Sequence, residues 1–225
     1  MQSFPGKEIR LFIPGPQGQL QAIATPARQV GGEHAGTSKN SRENVAIVCH
    51  PHSLMGGTMN NKVVHTVARA HRDAGHHVVR FNFRGVEQSE GEYAHGVGET
   101  DDVLAVLAWV KALLPNANIW LAGFSFGSFV VARTLRLALD EGYNIHHLLL
   151  IAPAVENYAF YELTEFGVPM AMVYGDADEV VNPVRIAEWF ETVTTDKRLS
   201  TLAGAGHFFH GRLTDLKAAV QALCF

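Results

Sequence analysis

The residue types and spacing that most directly suggest chemistry lie in one pentapeptide, Gly123-Phe124-Ser125-Phe126-Gly127. It stands between an apolar run at 119–122 and a helix-like run at 128–139, so the serine occupies the tip of a strand–turn–helix. Such a tight turn lifts the Ser125 hydroxyl above a sheet, and small residues are needed two positions before and after it. The turn also directs the Phe126 N–H toward a substrate carbonyl oxygen, beside the positive end of the helix dipole. The pattern therefore predicts a nucleophilic Ser125 and an oxyanion-binding N–H at Phe126.

A nucleophilic serine of this kind needs an acid and then a histidine later in the chain; without them the pattern is an ordinary glycine-flanked turn. The segment GDADEVV at 175–181 follows one extended run, and the segment GAGH at 204–207 follows the last one. Both segments belong at the carboxyl edge of a sheet, where such folds hold their sites. The acid has four candidates: Asp178, Asp176, Glu179 and, further upstream, Glu156. We expect His207 to reach both the acid and Ser125.

The elements that would position these residues alternate along the chain. Strands are predicted at 8–13, 19–25, 45–49, 78–83, 118–122, 147–151, 168–174 and 199–202, and helices at 61–74, 97–114, 127–140, 183–193 and 212–223. The first two strands, separated by Pro14-Gly15-Pro16, indicate a hairpin at a sheet edge. The later strands alternate with helices, as βα units on a parallel sheet do. We expect one domain over 1–225, with the polar stretch 27–44 as a flexible surface loop.

In this order along the chain, the sequence resembles the α/β-hydrolase superfamily, and more narrowly its small, lidless bacterial members similar to dienelactone hydrolase. The landmarks fall within residues 45–210: His50-Pro51-His52 with Gly56-Gly57, Asn82-Phe83-Arg84-Gly85, the GFSFG turn, and the segments 175–181 and 204–207. The resemblance implies an α/β-hydrolase fold, with a mostly parallel eight-stranded sheet, helices on both faces and no cap domain. Only about 16 residues separate Ile151 from Val168, where lidded relatives insert a sub-domain.

The resemblance also implies site roles. The family's nucleophile corresponds to Ser125 and its base to His207. Its acid corresponds to Asp178, because the family places that residue three positions after the strand-ending glycine.

A second oxyanion donor is implied in the loop after the third strand, where this superfamily uses a backbone N–H. Pro51 has no N–H to donate, so the candidates are the amides of His52, Ser53 and Leu54. By analogy with related loops we take His52 as the second donor.

The substrate pocket is expected beside this loop. Its predicted lining residues are Ser53, Leu54, Met55 and Phe124. Further candidates are Met59, Phe126 and Phe129, although aromatic residues at such spacing are more often plain core. The loop after the fourth strand departs from the family pattern, with Glu87 where relatives often have glycine and Ala94 near where they have aspartate. Its part in substrate choice therefore stays open.

The 12 histidines invite a metal-centred interpretation, which their spacing does not favour. His50 and His52 lack a further ligand at the spacing of zinc hydrolases. His207 and His210 could share a helical face, but His207 already has a role as the base. Cys49 lies within a predicted strand, and the two cysteines form no CxxC pair. We expect neither a metal nor another cofactor.

Composition excludes several other classes. A chain of 225 residues that is 47% hydrophobic and 18% charged can bury a full core without disulfides or metals. The net charge of −4 carries no electrostatic footprint for nucleic acid or an anionic membrane. No signal peptide or membrane-spanning apolar run is visible, so we expect a cytoplasmic protein.

The function expected from these features is a serine hydrolase that cleaves carboxylic esters of small or medium acyl substrates. Thioesters, lactones and aminopeptidase-type amides are alternatives on the same residues. A non-catalytic member of the fold that binds a small ligand or another protein is the alternative from a different class.

Overall fold

The computed structural model describes residues 3–28 and 42–225, which form an eight-stranded sheet with helices on both faces. The strands are β1 (Ile9–Gly15), β2 (Gly18–Thr25), β3 (Asn44–Cys49), β4 (His77–Phe81), β5 (Asn118–Phe124), β6 (Ile145–Ile151), β7 (Met170–Gly175) and β8 (Lys197–Leu202). The α-helices are α1 (Lys62–Asp73), α2 (Val97–Leu113), α3 (Phe126–Asp140), α4 (Pro183–Thr192) and α5 (Leu213–Cys224). The predicted fold class is confirmed.

The sheet order places the candidate residues at one edge. The order is β1-β2-β4-β3-β5-β6-β7-β8, with β2 antiparallel to both of its neighbours and every later pair parallel. The carboxyl ends of β5, β7 and β8 therefore meet at the same edge of the sheet. Ser125 directly follows β5, Asp178 follows β7 and His207 follows β8.

The two faces of the sheet carry separate apolar cores. Helices α1 and α5 cover one face, and α2, α3 and α4 cover the other. Central strands are buried on both sides, so the neighbours Leu149 and Leu150 belong to opposite cores. This explains why these strands have continuous apolar sequences instead of alternating ones.

The helices begin close to their predicted starts because their sequences supply caps. The side chain of Asn61 accepts the Val63 N–H at 2.8 Å before α1. Asn182 accepts the Val184 N–H at 3.0 Å before α4, where Pro183 takes the first helical position. These side chains satisfy N–H groups that have no acceptor inside the helix.

Six strand boundaries differ from the prediction by two residues: the ends of β1, β4 and β5 and the starts of β6, β7 and β8. Strand β1 continues through Pro14 to Gly15, because an edge strand tolerates a residue without an N–H. Strand β6 begins at Ile145, two residues early, and the pairing with β5 is irregular beside Trp120. Strand β8 begins at Lys197 and is polar because it forms the other edge of the sheet.

The expected loop at 27–44 falls largely on residues 29–41, which lie outside the described residues. Between β6 and β7 the chain forms turns and one short 3₁₀ helix, Phe160–Glu162, and no cap domain is inserted there. Across 3–28 and 42–225, none of the helices has both the length and the apolar character needed to cross a bilayer.

Candidate active site

Ser125 occupies a strained turn between β5 and α3. Its backbone angles are φ 55° and ψ −114°, a region that side-chain-bearing residues rarely adopt. A Cβ at Gly123 would lie 2.2 Å from the Gly127 carbonyl oxygen, and one at Gly127 would lie 2.6 Å from the Cys49 carbonyl oxygen. Both glycines are therefore required by close backbone contacts, Gly123 with the start of α3 and Gly127 with the end of β3, as the spacing in the sequence predicts.

Hydrogen bonds to β6 hold this turn in place. The Ser125 N–H donates to the Ile151 carbonyl oxygen at 2.8 Å. The hydroxyl of Ser128 donates to the Gly123 carbonyl oxygen at 2.7 Å and accepts the Ile151 N–H at 3.2 Å. Because the surrounding backbone is fixed in this way, the strained Ser125 conformation can persist.

The structure brings Ser125, His207 and Asp178 into one hydrogen-bonded line. The Nδ1 atom of His207 lies 2.7 Å from Oδ2 of Asp178, and its Nε2 atom lies 3.0 Å from the Ser125 hydroxyl. All three residues are buried. A carboxylate only accepts hydrogen bonds, so Nδ1 carries the proton and Nε2 is free to accept the serine proton.

Asp178 is the acid candidate that reaches the histidine. Its second oxygen, Oδ1, accepts the N–H groups of Val180 and Val181, each at 2.8 Å. These two backbone donors orient the carboxylate and stabilise its charged form.

The other three acid candidates have different partners. Asp176 accepts the Gly204 N–H at 2.6 Å, and Glu179 accepts the backbone N–H of His207 at 3.1 Å. Glu156 lies further along the edge, where it pairs with Arg185 at 3.8 Å.

The loops after β7 and β8 approach each other closely. A Cβ at Gly175 would lie 1.9 Å from the Ala205 carbonyl oxygen, so only glycine fits there. The His207 ring packs between Phe124 at 5.0 Å and Phe208 at 5.1 Å between centroids. Phe124 is only 1% exposed, so it supports the His207 ring from behind and does not face open solvent as a pocket residue would.

The candidate oxyanion amides differ in whether their N–H groups already donate a hydrogen bond within the protein. The Phe126 N–H opens α3, where the first N–H groups have no acceptor within the helix. The Leu54 N–H already donates to Nδ1 of His52 at 3.2 Å, which removes it from the set of free donors. The amides of His52 and Ser53 have no hydrogen-bond acceptor in the part of the chain that the structure describes.

The predicted pocket residues occupy different positions around the site. Leu54 and Met55 are 70% and 83% exposed, so they form an open rim. The Ser53 hydroxyl oxygen is buried without a partner among the described residues. The further candidates Met59, Phe126 and Phe129 are buried, as the core alternative predicts.

Buried polar contacts that shape the site were not predicted from the sequence, although His50 and Arg84 belong to the family landmarks. His50 donates from Nδ1 to the Pro51 carbonyl oxygen at 2.6 Å and accepts the Phe83 N–H on Nε2 at 3.0 Å. Burial lowers the pKa of His50 to about 4, so it stays neutral and joins the loops after β3 and β4. Arg84 and Asp102 form a buried ion pair at 2.7 Å that fixes the second of these loops to α2.

The departures from the family pattern have local structural counterparts. Glu87 stands at φ 50°, a left-handed conformation in which glycine is the usual residue, and its side chain accepts from Asn82 at 2.9 Å. The Ala94 N–H donates to Glu99 at 2.9 Å. Two tyrosines near this loop, Tyr93 and Tyr158, lie beside Phe126 with ring centroids 5.7 and 5.2 Å away. Within the described ranges, no group of three or more histidine, cysteine or acidic residues is arranged to hold a metal.

The fold is shared with known proteins. Residues 47–153 match the family model described as alpha/beta hydrolase fold. The XC6422 structure from Xanthomonas campestris, described as a member of a/b serine hydrolase without lid, is 38% identical, covers 99% of this chain and 95% of its own, and superposes with a TM-score of 0.86. An alpha-beta serine hydrolase homologue from Coxiella burnetii is also 38% identical, with 99% and 100% coverage and a TM-score of 0.86. An uncharacterized protein, RP471 of Rickettsia prowazekii, is 33% identical over 94% of this chain and 87% of its own.

The chain therefore belongs to the α/β-hydrolase family and has the fold of its lidless serine hydrolases. The dienelactone hydrolase of Anabaena variabilis shares the fold, with a TM-score of 0.76 at 13% identity.

Proposed function

We propose that the protein is a serine hydrolase that cleaves carboxylic esters through an acyl-enzyme on Ser125. The observation that carries the proposal is the continuous hydrogen-bonded line from Asp178 through His207 to the Ser125 hydroxyl. An acid, a neutral imidazole and a hydroxyl in this order form the arrangement that activates serine for attack on acyl groups.

In the acylation step, His207 takes the Ser125 proton on Nε2 while the serine oxygen attacks the ester carbonyl. Asp178 holds Nδ1–H and stabilises the imidazolium that forms, without itself becoming protonated. His207 then donates its proton to the leaving alkoxide oxygen, and the alcohol departs. Water, deprotonated by the same imidazole, attacks the acyl carbon; the bond from that carbon to the Ser125 oxygen then breaks, His207 returns the proton to this oxygen, and the carboxylic acid leaves.

The negative oxygen of the tetrahedral intermediate needs donors that are already in place. The Phe126 N–H at the start of α3 is one, and the His52 N–H is the other that we propose. Each such donor contributes on the order of 10²–10³ in rate. The Ser53 amide is the alternative to His52, because both lie in the same loop and neither has an acceptor within the described residues.

The substrate that we propose is a small or medium acyl ester, with no cofactor. The exposed rim at Leu54 and Met55, together with the short connection between β6 and β7, leaves the site open. Thioesters, lactones and amides are chemically compatible with the same residues, so a substrate panel must separate them. The competing proposal, a non-catalytic binding protein, predicts a Ser125 that does not react.

The test is reaction of the pure protein with a fluorophosphonate probe, together with hydrolysis of 4-nitrophenyl butyrate in the presence of EDTA. We expect labelling at Ser125 and turnover that the chelator leaves unchanged. Ser125→Ala should abolish labelling and lower turnover by about 10³-fold or more, whereas Ser200→Ala in β8 should react as the wild type does. A folded wild-type protein that neither labels nor turns over would support the binding protein instead.

A further inference from the structure

Aromatic side chains from three different loops meet beside the proposed nucleophile. His52 follows β3, Tyr93 follows β4 and Tyr158 follows β6. Their ring centroids lie 5.3, 5.7 and 5.2 Å from the ring of Phe126, the residue next to Ser125. Phe126 is 1% exposed, whereas the other three are half-buried and so present one side to solvent. We call His52, Tyr93 and Tyr158 the aromatic wall.

The aromatic wall is separate from the rings that pack against the proposed base. The leaving group must face His207, because that residue supplies its proton. The rings that contact His207 are Phe124 and Phe208, and neither contacts a member of the aromatic wall in the described structure. The proposed oxyanion donors, at Phe126 and His52, lie on the wall side. An ester held between these groups therefore directs its acyl part toward the aromatic wall.

The hydrogen bonds of the wall leave one donor unused. Because His52 accepts the Leu54 N–H on Nδ1, its neutral ring carries a proton on Nε2, which donates to the Tyr93 oxygen at 3.1 Å. Burial and then a hydrogen bond with Tyr93 raise the pKa of Tyr158, so both phenols keep their protons. Among the hydrogen bonds of the described residues, neither phenolic O–H donates to a further acceptor, and a bond between the two tyrosines would use only one of the two O–H groups. Whichever way the tyrosine pair is oriented, one phenolic O–H remains free.

The charges near the wall favour a neutral ligand. Glu99 is fully buried and accepts the N–H groups of Ala94 and Gly96. Burial is the main cause that raises the pKa values of Tyr93 and Tyr158, and the negative charge of Glu99 raises both further. The nearby cation, Arg84, is already paired with Asp102. An acyl group that carries a free carboxylate in addition to the ester would therefore meet a negative potential at this position.

We infer that the aromatic wall is an acyl subsite for a neutral aromatic acyl group whose ring carries a hydrogen-bond acceptor. This inference rests on the proposed function of Ser125. Offset or edge-to-face contact with Tyr93 and Tyr158 holds the ring, and the free phenolic O–H donates to the acceptor. The ring of a bound substrate covers this O–H, so a substrate without the acceptor leaves the donor unpaired and is bound less well.

The inference is tested with three 4-nitrophenyl esters that share a leaving group. Their acyl parts are hexanoyl, 3-phenylpropanoyl and 3-(4-methoxyphenyl)propanoyl. For the wild type we expect kcat/KM to rise in that order, with the methoxy ester about 10-fold or more above the hexanoyl ester. In the variant Tyr93→Phe/Tyr158→Phe, which keeps the rings and removes both hydroxyls, the advantage of the methoxy ester over the phenyl ester should disappear. Tyr143→Phe, whose ring contacts Lys111 away from the wall, should keep it.

A binding measurement separates failure of this inference from failure of the proposed function. The neutral ketone 4-(4-methoxyphenyl)butan-2-one is titrated into Ser125→Ala protein, with and without the tyrosine substitutions. Saturable binding that weakens on removal of the hydroxyls supports the subsite even if no ester is hydrolysed. A hexanoyl ester that is hydrolysed as well as both aryl esters, or a ketone that binds equally with and without the hydroxyls, overturns it.

Discussion

The Glu179 carboxylate accepts the backbone N–H of His207 at 3.1 Å, one residue along the chain from the acid that contacts the His207 ring. Asp178 and Glu179 thus hold the same histidine at two points, by its side chain and by its backbone. A Cβ at Gly206 would lie 2.5 Å from the same Glu179 oxygen, so the glycine lets the two loops approach. Glu179 is therefore a positioning residue for the proposed base.

We predict that Glu179→Ala lowers kcat for 4-nitrophenyl butyrate by about 10-fold while KM changes little, because misplacement of a catalytic group reduces reaction more than binding. Glu179→Gln should recover most of the loss, since its amide oxygen can still accept the N–H. Glu188→Ala on α4, where the carboxylate pairs with Arg185, is the matched control. A loss expressed mainly in KM, or no rescue by glutamine, would contradict a positioning role.

Substitution of each residue distinguishes the role of Asp178 from that of the nearby Asp176. Asp178→Asn places an amide against Nδ1 and should lower kcat by about 10³–10⁴-fold, because it favours the wrong imidazole tautomer. Asp176→Asn keeps an oxygen that can accept the Gly204 N–H and should cost much less. The measurement is steady-state kinetics of both variants on the same ester. Equal losses would mean that the acid has been misassigned.

The grouping of Ser125, Asp178 and His207 can be predicted from sequence because each residue follows a readable strand of one parallel sheet. The apolar runs define those strands, and parallel strands bring their carboxyl ends to one edge. Glycines around the turn are equally readable, because GFSFG excludes larger side chains by backbone contact. The same reasoning fails at the ends of strands. The first residues of β8 are polar, so no periodic apolar pattern shows where that strand begins.

The roles that sequence does not reveal depend on contacts between separate loops. Tyr93 and Tyr158 both lie beside Phe126, although they are 65 positions apart in the sequence. That distance is about the length of two βα units. Glu179 carries a backbone contact, which leaves no trace in residue spacing. Burial likewise decides that Phe124 supports His207 and that Leu54 is exposed, and neither outcome follows from their apolar character.

The close approach of the acid loop and the histidine loop predicts a stability effect at Gly175. A Cβ there would overlap the Ala205 backbone, which cannot move without displacing the His207 loop. Gly175→Ala should lower the free energy of unfolding by about 1–3 kcal/mol, as overpacking does, and should also reduce turnover. At Gly6 an added Cβ meets no atom within 4 Å, so Gly6→Ala is the neutral control in the same urea titration. Equal stability of the two variants would show that the loops separate readily.

The buried histidines predict that the free energy of unfolding decreases as the pH is lowered from 6.5 to 4. Burial lowers the pKa values of His50, His76 and His147 to about 4, below the value of about 6.5 for an unfolded histidine. Between these limits the unfolded chain binds more protons than the folded one, so acid favours unfolding. The stabilisation is complete above pH 6.5 and is lost progressively as the pH falls toward 4. Each group adds up to about 1.4 kcal/mol per pH unit to the slope.

The pH window separates this effect from that of the partly exposed ion pair between Asp73 and Lys217. Lys217 lowers the pKa of Asp73 to about 2 from its ordinary value of 3.8, so its contribution is lost only at lower pH. Urea unfolding at pH 7, 6, 5 and 4.5 should show a free energy that declines between 6.5 and 4, and His147→Gln should flatten part of that decline. His95→Gln, at an exposed position, should leave the slope unchanged. A free energy of unfolding that is constant across this range would contradict the prediction. It would mean that the buried imidazoles accept protons in the folded state as easily as they do in water.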